Sequence, residues 1–305
     1  MKKWLLPYLL PLVCLCISSC KWHDPTSQER YAIVTTTNIL ADGVKALVRD
    51  SADVIPMMAI GVDPHLYKAS QRDLDLLLGA DLVVFHGLHL EGKMAEVLRK
   101  YARTHDVIDQ GALIPPELLL TDPALNSTDP HIWFDVALWK QALTATASQL
   151  VERKPEWQEY IQHNLAAYQQ QLDSLHRHTR EAIKAVTAKG QVLITAHDAF
   201  SYFGRAYRIE VRGLQGLSTL SEPGLRDVSE LVNYIIEKDI KAIFVEQSIS
   251  PKALAAVVEG CRKRGHTVRL AGPLYTDSLG EAGAEAGTYV DMVSANVKSI
   301  VENLQ

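Results

Sequence analysis

From residue 156 to residue 189 the chain contains neither Gly nor Pro, and no other feature limits its fold so much. Within this stretch Trp157, Ile161, Leu165, Tyr168, Leu172, Leu175, Ile183 and Val186 recur mostly at intervals of three and four. That is the period of one apolar helical stripe. Pro155 suits the first turn of a helix and Gly190 closes the stretch. A helix over roughly 156–186 would be about 46 Å long at 1.5 Å per residue. Two helices broken near His176 are the other reading, but nothing interrupts the chain there, so one long strut is expected.

On both sides of the strut short apolar runs alternate with amphipathic stretches. Strands are expected at Tyr31–Thr35, Asp53–Met58, Asp81–Phe85 and Asp106–Ile108, with helices at Asn38–Arg49, Ser70–Gly79 and Lys93–Arg103. After the strut, strands are expected at Gln191–Thr195, Ile209–Val211, Lys241–Val245 and Thr267–Leu270. The helices there fall at Ala199–Ala206, Leu225–Glu237, Lys252–Arg264 and Thr288–Val301. Continuous apolar strands alternating with helices imply α/β architecture with parallel sheets buried on both faces. The halves echo each other: Ser70–Leu77 precedes Asp81–Phe85 as Pro223–Leu231 precedes Lys241–Val245, each a capped amphipathic helix feeding a buried strand. Two lobes of similar topology, spanned by the strut, are therefore expected.

The first residues read as an address. Lys2 and Lys3 precede an apolar run from Trp4 to Ile17, of signal-peptide length and too short to span a membrane comfortably. Ile17-Ser-Ser-Cys20 then resembles a lipobox, in which Cys20 becomes the lipidated N-terminus; an ordinary cleaved signal with an incidental cysteine is the alternative. The expected organisation is a signal peptide over 1–19, a lipidated tether over 20–30, an N-terminal lobe over 31–153, a linking helix over 154–188 and a C-terminal lobe over 189–305. Cys14 and Cys16 leave with the signal, so Cys261 alone remains in the mature domain and no internal disulfide can form. Without Lys2 and Lys3 the chain has 29 basic against 36 acidic side chains, a net −7, which argues against nucleic acid as a partner.

Three histidines stand in short polar breaks. Asp-Pro-His occurs at 63–65 and again at 129–131, and His197 follows an apolar strand. In open parallel sheets ligands bind beyond the carboxyl ends of the strands. His65, His197 and Asp277 are each expected past such an end, and His131 in the break before a helix starting near Val136. His65 and His131 come from the first lobe, His197 and Asp277 from the second. Neutral imidazoles with one carboxylate suit zinc in tetrahedral geometry. Asp63, Asp129 and Asp135 are candidates either to fix an imidazole tautomer or to form turns and caps. His86 and His89 form His-x-x-His after a strand and are expected to pack or hydrogen bond near the cleft rather than ligate. His176 and His178, on the strut, are expected in solvent.

Gly61-Val-Asp-Pro-His65-Leu-Tyr, Gly87-Leu-His-Leu-Glu91, Asp129-Pro-His131-Ile-Trp-Phe-Asp135, Thr195-Ala-His197-Asp-Ala-Phe and Gly287-Thr-Tyr-Val-Asp291 occur in that order. Together they resemble the TroA-type solute-binding lipoproteins of zinc and manganese ABC importers, over about residues 30–303. The resemblance implies two Rossmann-like lobes joined by a rigid helix, with the metal in the cleft between them. It implies His65, His131, His197 and Asp277 as the four ligands. Members resembling manganese importers carry Glu where this chain has His197, which puts zinc first, manganese second and iron third. Zinc-dedicated members often have a His- and acid-rich loop before the second ligand; Ile114–Asp129 contains no histidine, which weakens that order.

The expected function is an extracytoplasmic, lipid-anchored, monomeric receptor that captures a dication and hands it to an ABC permease, and not an enzyme. A zinc hydrolase, with Glu246 beside a metal-bound water, is the competing class; Glu246 could equally orient a ligand. A surface adhesin with a structural metal is a third.

Overall fold

The structure is a computed structural model that describes residues 30–122, 127–188 and 190–305. The expected signal peptide, Cys20 and nearly all of the expected tether lie outside the described residues. Residues 31–305 form one compact unit.

The first half builds β1 (Tyr31–Thr35), α1 (Asn38–Val48), β2 (Ala52–Pro56), α2 (Gln71–Leu78), β3 (Leu82–Phe85), α3 (Ala95–Tyr101) and β4 (Val107–Asp109). The strands form one parallel sheet in the order β2-β1-β3-β4, with Ile33 level with Val54 on one side and Leu82 on the other. All four residues of β3 are buried, as a central strand covered on both faces requires. Local chemistry sets the helix starts. Thr37 caps α1 through the Leu40 N–H, and Ser70 with Asp73 forms a reciprocal capping box on α2. A short antiparallel pair, β5 (Thr121–Asp122) with β6 (Ser127–Thr128), precedes α4 (Val136–Arg153).

The strut is α5 (Gln158–Thr187), a single 30-residue helix after a 3-10 turn at Pro155–Trp157, with no break at His176. Ile161, Tyr168, Leu172, Leu175, Ile183 and Val186 form its buried stripe, and it packs on α1 and α4. The second half follows with β7 (Val192–His197), α6 (Ser201–Tyr207), β8 (Glu210–Gln215), α7 (Leu225–Glu237), β9 (Ala242–Glu246), α8 (Lys252–Lys263), β10 (Arg269–Leu274) and α9 (Tyr289–Leu304). β7 pairs in parallel with β8 and β9 with β10, and β7 lies beside β9. α5 also packs on α6 and α9, so the strut touches both halves.

β2 ends two residues earlier than expected, at Pro56, β3 begins one residue later, β4 and β9 shift by one residue, and three strands of the second half differ more. β7 runs two residues further and ends on His197 itself, so this histidine is a strand terminus and not a loop residue. β8 is twice the expected length because its polar residues pair with β7 up to Gln215. β10 continues through Pro273 with a register shift between Ala271 and Leu274; it pairs only with β9, and an edge strand tolerates a residue without an N–H. On the strut, His178 is exposed, whereas His176 is half-buried with Nδ1 3.2 Å from the Tyr207 hydroxyl. The main core does not stop at either lobe. It runs from Ile33, Leu40 and Val84 through Trp133, Phe134 and Trp139 to Phe200, Phe244 and Tyr289.

Candidate metal centre

The repeated Asp-Pro-His is one local device used twice. Asp63 Oδ1 accepts the His65 N–H at 2.8 Å, and Asp129 Oδ1 accepts the His131 N–H at 2.9 Å. The intervening proline has a fixed φ and no N–H to compete, so each carboxylate turns its histidine backbone inward. The two copies then diverge. Asp129 Oδ1 also lies 2.7 Å from His131 Nδ1, placed to accept its N–H, and in that tautomer Nε2 keeps a free lone pair. Asp63 Oδ2 instead accepts the Thr219 hydroxyl of the second half at 2.6 Å.

In the second half two neighbouring strands end together. Glu246, the last residue of β9, receives the His197 backbone N–H on Oε1 at 2.9 Å and faces His197 Nδ1 with Oε2 at 2.6 Å. This also aims Nε2 of His197 at the centre. Asp277, three residues past β10, is held by the Ser248 hydroxyl on Oδ2 at 3.4 Å.

His65, His131, His197 and Asp277 thus converge, each no more than 2% exposed, with one potential ligand atom from each inside a 4.8 Å span. His131 Nε2 is 3.3 Å from both His65 Nε2 and His197 Nε2. Asp277 lies 3.6 Å from His131 Nε2 through Oδ1 and 3.7 Å from His197 Nε2 through Oδ2. A tetrahedron with arms of 2.0–2.1 Å has edges of about 3.3–3.4 Å; the two imidazole–imidazole distances match it, and the carboxylate distances are a few tenths of an ångström longer. No other group of three or more such side chains converges among the described residues.

Electrostatics say the same. Burial, reinforced by His131 and His197, pushes the His65 imidazole down to about 2. Burial also drives His131 far below the ordinary range. His197 goes the other way: burial disfavours its charge, but Glu246 and Asp277 outweigh this and raise it to about 10. Burial raises Asp277 to about 7, opposed by His197, and its Oδ1 has no hydrogen-bond partner. The lone pairs of His65 and His131 and a carboxylate oxygen face the His197 ring that Glu246 and Asp277 hold charged, at a point shielded from water where a bound cation would take the place of that proton.

The remaining sequence candidates lie elsewhere. Asp135 caps α4 through the Ala137 and Leu138 N–H groups and bonds no site histidine. His86 is buried, edge-on to Trp133, with Nε2 2.6 Å from the Pro130 carbonyl; His89 is exposed. Sequence reasoning missed the polar ties across the cleft. Asn38 Nδ2 donates to Ser278 Oγ at 3.0 Å while its Oδ1 accepts the Leu279 N–H at 2.8 Å. Ser278 Oγ also accepts the Gly61 N–H at 2.8 Å, and Trp133 Nε1 donates to the Thr276 carbonyl at 2.9 Å. Each joins residues more than a hundred positions apart, and no local signal announces them.

The pattern defining the ZnuA family, the periplasmic component A of the zinc-uptake complex, matches residues 33–303. The manganese-binding lipoprotein MntA of Bacillus subtilis is 41% identical over 280 residues, 92% of each chain. The zinc-binding protein TroA of Treponema pallidum is 40% identical over 281 residues, 92% of this chain and 91% of TroA. The structure of TroA from the same organism aligns with a TM-score of 0.87, covering 90% of this chain and 99% of that one.

Proposed function

The chain belongs to the ZnuA family of periplasmic zinc-uptake components, and on that premise we propose that it captures a divalent transition metal outside the cytoplasm and delivers it to an ABC permease. The observation that carries this reading is the convergence of His65, His131, His197 and Asp277, two from each lobe, at ligand-to-ligand spacing. We read 31–153 and 189–305 as the two lobes and 154–188 as their link. Asp129 and Glu246 orient His131 and His197. Cys20 would carry the lipid that keeps the receptor near its permease, and several acyl chains would be needed for a stable anchor.

Three imidazoles and one carboxylate leave a bound dication with net charge +1. Zinc is favoured over manganese, with iron third, since imidazole suits zinc and oxygen ligands suit manganese. Relatives of nearly equal identity are named for manganese and for zinc, so the ion carried in the native host is read from elemental analysis of protein purified there.

A carrier is favoured over a hydrolase by the engagement of Glu246. Both its oxygens are taken up by His197, so Glu246 is not free to activate water at the centre. The test is thermal unfolding with and without metal. Zinc at 100 times its dissociation constant should stabilise the folded state by about 2.7 kcal/mol, and His197→Ala should remove most of that gain. An equal gain in the variant would sink the assignment.

A further inference from the structure

The loop from His86 to Gly92 has an unusual backbone. Leu88 and His89 are consecutive non-glycine residues with positive φ, 52° and 65°, flanked by Gly87 and Gly92 at 77° and 40°. Side-chain-bearing residues hold this conformation only where the surroundings over-determine it. The determinant is Glu91, which is 1% exposed. Its Oε1 accepts the His86 N–H at 2.6 Å and the Thr36 hydroxyl at 2.7 Å, and its Oε2 accepts the Gly87 N–H at 3.1 Å. One carboxylate thereby folds the loop back on the end of β3 and ties it to the residue after β1. Burial pushes this carboxyl up to about 7 against the pull of those donors.

Both ends of the loop touch a ligand segment of the first lobe. At one end His86 Nε2 lies 2.6 Å from the carbonyl of Pro130, the residue before His131, and both rings pack edge-on to Trp133. At the other end Gly92 lies so close to His65 that a Cβ there would sit 2.2 Å from the His65 carbonyl oxygen. His65 and His131 are 66 residues apart and share no backbone hydrogen bond that would set their spacing.

We infer that Glu91 is a positioning residue for the first-lobe half of the metal centre, setting the separation of His65 and His131 through the His86–Gly92 loop. This rests on the metal-capture reading above. Glu91→Gln is nearly isosteric but replaces one acceptor oxygen with a donor that faces another N–H. Thr36→Val removes one of the three donors, and Thr36→Ser restores it.

The experiment is cobalt(II) titration of the mature protein, with affinity read by competition against a chelating dye and geometry read from the visible d–d spectrum. Metal-free unfolding is followed separately. Glu91→Gln should bind cobalt about tenfold more weakly, the low end of the usual effect of groups that orient metal ligands, with an altered spectrum. Thr36→Val should change both in the same direction but less, and Thr36→Ser should match wild type. A change in unfolding temperature with wild-type affinity and spectrum overturns the inference, because a merely structural brace would behave that way. If Glu91→Gln does not fold, the Thr36 pair decides by the same criteria. A wild-type protein that takes up no cobalt overturns the capture function itself, and this inference with it.

Discussion

Asn38 opens α1, is 7% exposed, and clasps the two lobes beside Asp277. Asn38→Ala removes its donor to Ser278 Oγ, which keeps the Gly61 N–H, and its acceptor for the Leu279 N–H. The first loss is an ordinary hydrogen bond of about 0.5–1.5 kcal/mol, and the second strands a buried donor at about 1–3 kcal/mol. Alanine's better helix propensity returns about half a kcal/mol. The net cost is about 1–4 kcal/mol. With an unfolding entropy of roughly 2.1 cal/mol/K per residue over some 275 residues, each kcal/mol moves the midpoint by roughly 1.7 °C, so calorimetry of the metal-free protein should show a fall of about 2–7 °C. The four candidate ligands are untouched, so the variant still binds metal. Stopped-flow release into excess chelator should accelerate at least about tenfold, equivalent to 1.4 kcal/mol on the barrier, if the lobes part at this clasp before the ion leaves. A midpoint within about 1 °C of wild type would refute the energetic argument. A lowered midpoint with unchanged release would refute the gating role and leave a structural brace.

Two further outcomes follow from groups away from the centre. Asp73 Oδ2 accepts the Ser70 N–H and hydroxyl and the Tyr67 hydroxyl, so Asp73→Asn should cost about 1–2 kcal/mol and leave the metal-linked gain in midpoint unchanged. Burial opposes the Asp73 charge, yet the Ser70 and Tyr67 bonds prevail and its carboxyl lies below the ordinary value. Its contribution is therefore complete above about pH 4 and lost as the pH falls through the folded-state value; pH-dependent melts of the variant should show a flatter acid limb, and a parallel limb would contradict this. Cys261 is fully buried in α8 and burial raises its thiol. It should resist a water-soluble thiol reagent in the native protein and react on unfolding, and rapid native labelling would show that α8 opens locally.

The strut and most strands were legible because their signals are local. The stripe on α5 needs only period and the absence of a breaker, and β3 needs only four apolar residues between a cap and a turn. β8 was underestimated because its alternating polar residues disguise a strand whose existence depends on pairing with β7. His197 ends a strand instead of lying in a loop for the same reason: its partner, Gln215, lies on β8.

The candidate centre divides along the same line. Asp-Pro-His is readable because donor, acceptor and restraining proline lie within three residues. The Glu246 contact, 49 residues from His197, becomes readable only once β7 and β9 are known to end side by side, which the strand-end rule anticipates. The Asp63–Thr219 and Asn38–Ser278 ties span 156 and 240 residues and depend on how the two lobes meet. Capture and release therefore have different sequence signatures. Three of the four candidate ligands are written into short motifs, while the ties between the lobes are single polar residues whose partners lie on the other lobe. A substitution at Thr219 or Ser278 leaves every motif intact, and if these ties hold the lobes together it should shorten the residence of the ion in the same stopped-flow assay; an unchanged rate would contradict that role.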